Sequence, residues 1–193
     1  MNFFQLVAPF YDAFMKLVGH SKTLKKAVRE TEIKEDDVIC DIGAGTGQLL
    51  DFLPEDNELI LVDASEKMLK KAEKRVRGRK ARLVQAQVQK LPLDDDCCDI
   101  VFCLDALHHF TRTGAALAEM NRIAKESGQV IILEFYPSNI KTKVMKRLEE
   151  LAGEPGCFYS PDKLADFFYK YGRNTKIVDL SSWQYLLIAS HKE

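Results

Sequence analysis

No apolar run in this sequence approaches the ~20 residues that a helix needs to cross a bilayer. The longest runs, Ile100–Leu104, Val130–Leu133 and Tyr185–Ala189, have the length of buried strands. An excess of one charge is also missing. The 28 basic and 29 acidic side chains leave a net charge of -1, whereas gripping a nucleic-acid backbone asks for a concentrated positive surface. Cysteines number five, an odd count without CxxC spacing, which argues against a disulfide framework and against a thiolate metal site. Cys40, Cys98 and Cys103 read instead as small buried hydrophobes, and no metal is expected. The N-terminus lacks the basic flank and apolar centre of a secretory signal, so the expectation is a soluble, reduced, cytoplasmic protein. No repeat or Pro/Gly-rich linker interrupts the chain, and one domain over 1–193 is expected. Hydrophobic residues at 46% of 193 give it enough material for a full core.

Short runs rich in Val, Ile and Leu alternate with stretches of helical period. Strands are expected at Val38–Ile42, Leu59–Asp63, Arg82–Ala86, Ile100–Leu104 and Gln129–Phe135, all continuous enough to be covered on both faces. Ser65 suits the cap of a helix running to about Val76, and Thr113 the cap of another that Gly128 stops. Ser160-Pro161 opens a third, with Gly172 just past its end. Alternation of this kind implies a doubly wound, mostly parallel α/β sheet. Ile177–Ser181 and Gln184–Ser190 are too close together for a crossover, so the last strand of a seven-stranded sheet is antiparallel. Residues 1–32 precede the first strand as a helical segment. There Phe3, Val7, Phe10, Phe14 and Leu17 form one apolar stripe that Pro9 bends or splits. The stripe either packs on the domain's own sheet, or serves as a lid over an apolar acceptor or a face for membrane contact.

The segment Asp41-Ile42-Gly43-Ala44-Gly45-Thr46-Gly47 follows the first strand and opens a helix. It lies where ligands sit in an open parallel sheet, beyond the carboxyl ends of the strands. Alternate glycines let backbone approach a ligand directly. Asp63 ends the second strand, twenty residues after Gly43, where a carboxylate can accept from both hydroxyls of a ribose. Together these point to a nucleoside-containing ligand. A dinucleotide site wants G-x-G-x-x-G, but the third position here is Gln48 and the glycine falls one residue early, at Gly47. Asp41 is also ill placed for a diphosphate and better suited to a ligand with a cationic end.

The chain resembles the class I S-adenosylmethionine-dependent methyltransferases nearly end to end. Val38 to Gly47 resembles their glycine motif, and Leu61-Val62-Asp63-Ala64-Ser65 with Met68 their acidic ribose motif. Leu91-Pro92-Leu93, Cys98-Asp99-Ile100-Val101 and Leu107-His108-His109-Phe110 resemble the stretches around the fourth strand. Arg122-Ile123-Ala124-Lys125, Gly128 and Glu134-Phe135 resemble the fifth-strand region. Within the family, Tyr11-Asp12 and Glu134-Phe135 are most similar to the ubiquinone/menaquinone-type small-molecule branch. The resemblance implies S-adenosyl-L-methionine as cofactor, with Asp41, Gly43, Ala44, Gly45 and Gly47 around its methionine and ribose portions. Asp63 would hold the ribose diol, Ala64 and Met68 flank the adenine, Gln87 and Val88 meet its edge, and Leu104 lie near the methionyl end. At 87 the family commonly carries Asp, so the neutral Gln87 implies a weaker adenine contact.

Tyr11, His109 and Glu134 are the candidates for work on a small organic, quinone-like or otherwise apolar acceptor. A histidine near pKa 6.5 at the ligand end of the sheet can take the acceptor's proton. Glu134 either positions the acceptor or is satisfied by neighbouring backbone. The nine basic residues from Lys67 to Arg82 face one acid, Glu73. They read as a solvated helix face, with an RNA- or protein-contacting surface as the alternative. A nicotinamide oxidoreductase and a non-catalytic partner subunit remain the readings from other classes.

Overall fold

The computed structural model describes residues 20–151, 153 and 156–191. Seven strands form one sheet in the order β3-β2-β1-β4-β5-β7-β6. In chain order they are β1 (Val38–Ile42), β2 (Glu58–Asp63), β3 (Ala81–Gln85), β4 (Cys98–Leu104), β5 (Ala124–Phe135), β6 (Arg173–Asp179) and β7 (Gln184–His191). β7 runs antiparallel to both its neighbours, and the other pairings are parallel. The described helices are α1 (His20–Arg29), α2 (Glu66–Val76), α3 (Thr113–Ile123), α4 (Ile140–Leu151) and α5 (Pro161–Lys170). The expected stripe Phe3, Val7, Phe10, Phe14 and Leu17, together with Tyr11, lies outside the described residues.

The apolar runs form strands because both faces are covered. Ile39, Leu61, Ile100, Phe102 and Ile131 fill one core layer, and Cys40, Val62, Val101, Ile132 and Leu187 fill the other. The chain steps outward from β1 through β2 to β3, then returns to the other side of β1 as β4. That reversal opens a crevice at the carboxyl ends of β1 and β4, the position where open α/β sheets bind ligands.

Several boundaries differ from the sequence reading. Gly128 does not stop a helix; α3 ends at Ile123 and Gly128 lies inside β5. A Cβ on Gly128 would stand 2.7 Å from the Asp99 carbonyl oxygen, so the residue permits close passage of β5 past β4. Arg112, not Thr113, occupies the cap position of α3, and the Thr113 hydroxyl donates to the Phe110 carbonyl at 2.9 Å. The glycine loop opens only a 3₁₀ turn, Gln48–Asp51. Ser65 does cap α2, its Oγ accepting from the Met68 amide. Helix α4 was not anticipated.

The basic run after Glu66 is engaged locally. Arg75 pairs with Asp51 at 2.8 Å, Lys80 pairs with Glu58, and Arg79 donates to the carbonyls of Leu50 and Pro54. The Arg75–Asp51 and Arg79–Leu50 contacts fasten α2 and the turn after it to the 3₁₀ turn, and Lys80–Glu58 fastens the turn after α2 to the start of β2. They fit a solvated structural face better than a phosphate grip.

Candidate active site

The glycine loop leaves β1 in the left-handed region, with φ of 74° at Gly43, 55° at Gly45 and 76° at Gly47. Gly43 is constrained twice. Besides its φ, a Cβ there would lie 2.6 Å from Cβ of Ala106, because the loops after β1 and β4 press together at the crevice. The Gly43 and Ala44 amides donate to the Val62 carbonyl at 2.8 and 3.0 Å, which ties the loop to β2. Gly47 has another role than the one expected. A Cβ on it would meet Ala72 of α2 and the Leu50 side chain at 3.1 Å, and it lines neither cavity at the crevice. It is a close-packing glycine behind the loop.

Asp63 ends β2 with its carboxylate already in use. Oδ2 accepts from the Gly45 amide at 2.9 Å and Oδ1 from the Ser65 amide at 2.7 Å. Burial pushes this carboxyl up from its ordinary value, while the two amides work in the opposite direction. Each oxygen keeps a second lone pair for a hydroxyl donor.

The crevice is a cavity of about 440 Å³. Gly43, Gly45 and Asp63 line it from the loop and β2, and Ala64, Ser65 and Met68 line it from the start of α2. Gln87, Val88 and Gln89 follow β3, while Asp105, Ala106, His109, Phe110 and Thr111 follow β4. A smaller recess behind the loop, about 40 Å³, is bounded by Asp41, Ala44, Thr46, Gln48, Leu104 and Asp105. The expected cofactor set therefore divides. Gly43, Gly45, Asp63, Ala64, Met68, Gln87 and Val88 face the main cavity, whereas Asp41, Ala44 and Leu104 face the recess. Asp105 was missed in the sequence. It borders both spaces with left-handed backbone, φ 53°, directly after β4. Asp41 is buried, and burial followed by the nearby Asp63 carboxylate raises it to about 7. A cationic ligand group in the recess would restore its charge.

His109 lines the main cavity, but its basicity differs from the expectation. Burial, with the neighbouring His108 adding to it, lowers it to about 3. It stays neutral at physiological pH, which suits accepting a hydrogen bond or donating a lone pair more than storing a proton. Glu134 does not reach the cavity. It is fully buried at the end of β5, accepting from His108 Nδ1 at 2.8 Å, from the His108 amide at 3.1 Å and from the Phe135 amide at 3.2 Å. Of its two sequence readings, the satisfied carboxylate is the one seen. Burial opposes charge on His108, yet Glu134, Glu149 and Asp105 outweigh it and raise the imidazole above its usual value.

A family model described as a methyltransferase domain matches residues 40–132, the span from β1 into β5. Through this span the chain is similar to the class I S-adenosylmethionine-dependent methyltransferases. Among curated proteins it is 32% identical to the ubiquinone/menaquinone biosynthesis C-methyltransferase UbiE of Azotobacter vinelandii, over 70% of this chain and 58% of that protein. It is also 32% identical to the uncharacterized methyltransferase YcgJ of Bacillus subtilis, over 63% of this chain and 49% of that one. The chain thus spans about half the length of the curated relatives it matches.

Among solved structures, one of a methyltransferase in complex with the Haloferax volcanii Trm112 methyltransferase activator superposes with a TM-score of 0.86. That match has 19% identity and covers 100% of this chain and 99% of that one. The magnesium protoporphyrin IX methyltransferase of Synechocystis, with bound S-adenosylhomocysteine, gives 0.71 at 20% identity, covering 91% and 84%. These likenesses concern the fold.

The family's cofactor is S-adenosylmethionine, and the residues present fit it. Asp63 offers acceptors to a ribose, Met68 and Val88 offer apolar walls to an adenine, and the Gln87 side chain carries an amide at the same rim. Asp41, at the recess, would be the acid toward a cationic methionine end. Among the described residues, no lysine or arginine lines the crevice for a diphosphate, in keeping with the absence of the dinucleotide glycine pattern.

Proposed function

We propose that this chain transfers the methyl group of S-adenosylmethionine to a small organic acceptor. The observation that carries the reading is the continuity of one cavity. It is lined both by the ribose-type acid and glycine loop and by His109, Phe110 and Thr111 after β4. Two reactants can share that space, and alignment with exclusion of water is the main means by which such transfer is accelerated. When bound, the cofactor supplies a sulfonium methyl group as electrophile. Gly43, Gly45, Asp63, Met68, Gln87 and Val88 bind and orient it, and Asp41 balances the charge of its methionine end. His109, facing the cavity, orients an acceptor hydroxyl, thiol or amine by a hydrogen bond at one ring nitrogen. Phe110 gives the acceptor end an apolar wall, which suits a quinone-like or other apolar acceptor.

Residues 1–18, whose sequence carries the apolar stripe and Tyr11, serve use of the acceptor on this reading. The exposed Ile140, Val144, Leu148 and Leu151 of α4 offer a further apolar face. These repeat at helical spacing on the helix that also carries Glu149 toward His108.

Transfer of labelled methyl from S-adenosylmethionine tests the reading, with small phenolic, quinol, thiol and amine acceptors run beside RNA and protein. Label in a small acceptor, diminished far more than cofactor binding by deletion of 1–18, is the expected result. Label only in RNA or protein would replace the small-acceptor reading with the alternative noted from the basic run.

A further inference from the structure

Behind the cavity's acceptor end, three side chains from two separate elements converge. Each of His108, His109 and Glu149 places one ligand-type atom within 4.8 Å of the others. The imidazoles come from the 3₁₀ turn after β4, Leu107–His109, and the carboxyl comes from the last turn of α4. We propose that these three residues bind a divalent transition-metal ion of the zinc type, with Glu134 orienting His108 from behind.

The orientation of His108 supports this most strongly. Its Nδ1 is taken by Glu134 at 2.8 Å, and its Nε2 points toward Glu149 at 3.9 Å. Glu134 is itself fixed by two backbone amides. A carboxylate behind one ring nitrogen, leaving the other for the metal, is the usual second layer of a histidine-metal site; it sets the tautomer and raises ligand basicity. The ring is held flat between neighbours, 4.7 Å from Phe158 in a stack and 5.5 Å edge-on from Phe135.

Glu149 gives an independent observation. Its Oε2 is buried without a hydrogen-bond partner among the described residues, an arrangement that costs free energy in an apolar surrounding. Gly156 leaves the room for it, since a Cβ there would stand 2.4 Å from that oxygen. Charge points the same way. Two carboxyl groups, Glu134 and Glu149, stand against the two ring nitrogens of His108. A divalent cation at this place would bring two positive charges to the two carboxyl groups.

The donor set decides the class of ion. Two imidazoles and one carboxylate suit zinc, cobalt, nickel or iron(II) and disfavour magnesium or calcium, which prefer oxygen ligands. Bonds of about 2.0–2.2 Å require the donors to draw together by roughly 1 Å from their present spacing, a movement within reach of side-chain rotation. Three protein ligands leave a fourth position open. Because His109 also lines the main cavity, that position opens toward the acceptor end, where it would suit an oxygen or sulfur anion. This last use rests on the methyl-transfer reading; the binding of metal does not.

The test is titration of chelator-stripped protein with Zn²⁺ and Co²⁺, followed by calorimetry and, for Co²⁺, by visible absorption. One equivalent should bind, with the intense d–d bands of low-coordinate Co²⁺, and Mg²⁺ should not compete. Glu134→Gln should weaken binding by about 10–100-fold, and Glu149→Gln and His109→Gln by more. Glu149→Gln keeps the shape of a partly exposed side chain, so a retained circular dichroism spectrum separates loss of a ligand from loss of the fold. Failure of the wild-type protein to bind one equivalent, or equal affinity in Glu149→Gln, would overturn the proposal. Neither outcome bears on methyl transfer, which is read by labelled product.

Discussion

The Asp63 carboxylate and the Gly45 amide are joined by a 2.9 Å hydrogen bond across the mouth of the crevice. The acid expected to receive a ribose therefore also sets the shape of the loop that faces the rest of the ligand. Its other oxygen holds the Ser65 amide at 2.7 Å, at the start of α2. One side chain thus couples β2, the glycine loop and a helix N-terminus, so its removal acts on binding twice. The contact to the ligand goes, and the loop loses its anchor.

Asp63→Ala should therefore cost more cofactor affinity than Gln87→Ala. Hydrogen bonds to a charged acceptor are worth ~1.5–3 kcal/mol each, and a neutral one ~0.5–1.5 kcal/mol. Loss of the Gln87 contact should weaken binding about tenfold at most, and loss of Asp63 by well over that. Gln87→Asp should hold or improve affinity. Calorimetry on the three variants measures the order, and a more damaging Gln87→Ala would mean that the adenine lies elsewhere.

Two glycines should respond oppositely to alanine. Gly43→Ala places a methyl 2.6 Å from Ala106 in left-handed backbone, so about 2 kcal/mol or more of stability should be lost. Gly114, in the first turn of α3, has nothing among the described residues within 4 Å of a built Cβ, and Gly114→Ala should gain about 0.4–1 kcal/mol. Urea denaturation resolves both changes.

Asp41 should leave a mark on the pH dependence of stability. Its folded pKa, about 7, lies above the ordinary 3.8. Between those values the folded state binds the extra proton, so this residue's contribution to stability falls as pH rises from about 4 to about 7. The loss is about 4 kcal/mol at most. Asp41→Asn removes it, so the variant should lose less stability than wild type between pH 5 and pH 7.5. Identical pH profiles would show that Asp41 is not held in its neutral form.

The central sheet was legible because β1, β2, β4 and β5 are covered on both faces and so carry continuous apolar runs. β6 was misplaced for the opposite reason. It is an edge strand, and Arg173-Asn174-Thr175 reads as a turn while the structure extends the strand over these residues. Helix α4 was missed although Ile140, Val144, Leu148 and Leu151 repeat at helical spacing. Those side chains remain exposed, and the helix touches the site chiefly through Glu149. The loop and Asp63 could be read from local spacing, whereas Ala64, Met68, Gln87 and Val88, which line the same cavity, were implied by the family resemblance. The His108–Glu134 and His108–Glu149 pairings could not, because only the parallel β4–β5 register and the return of α4 bring those residues together.

Isothermal calorimetry with S-adenosylmethionine, S-adenosylhomocysteine and NAD tests most directly what the crevice is for. One equivalent of either adenosyl ligand should bind, no comparable heat should come from NAD, and Asp63→Ala should abolish or greatly weaken the signal. Stoichiometric binding of NAD without binding of S-adenosylmethionine would contradict the assignment of the crevice and every role given to the residues that line it.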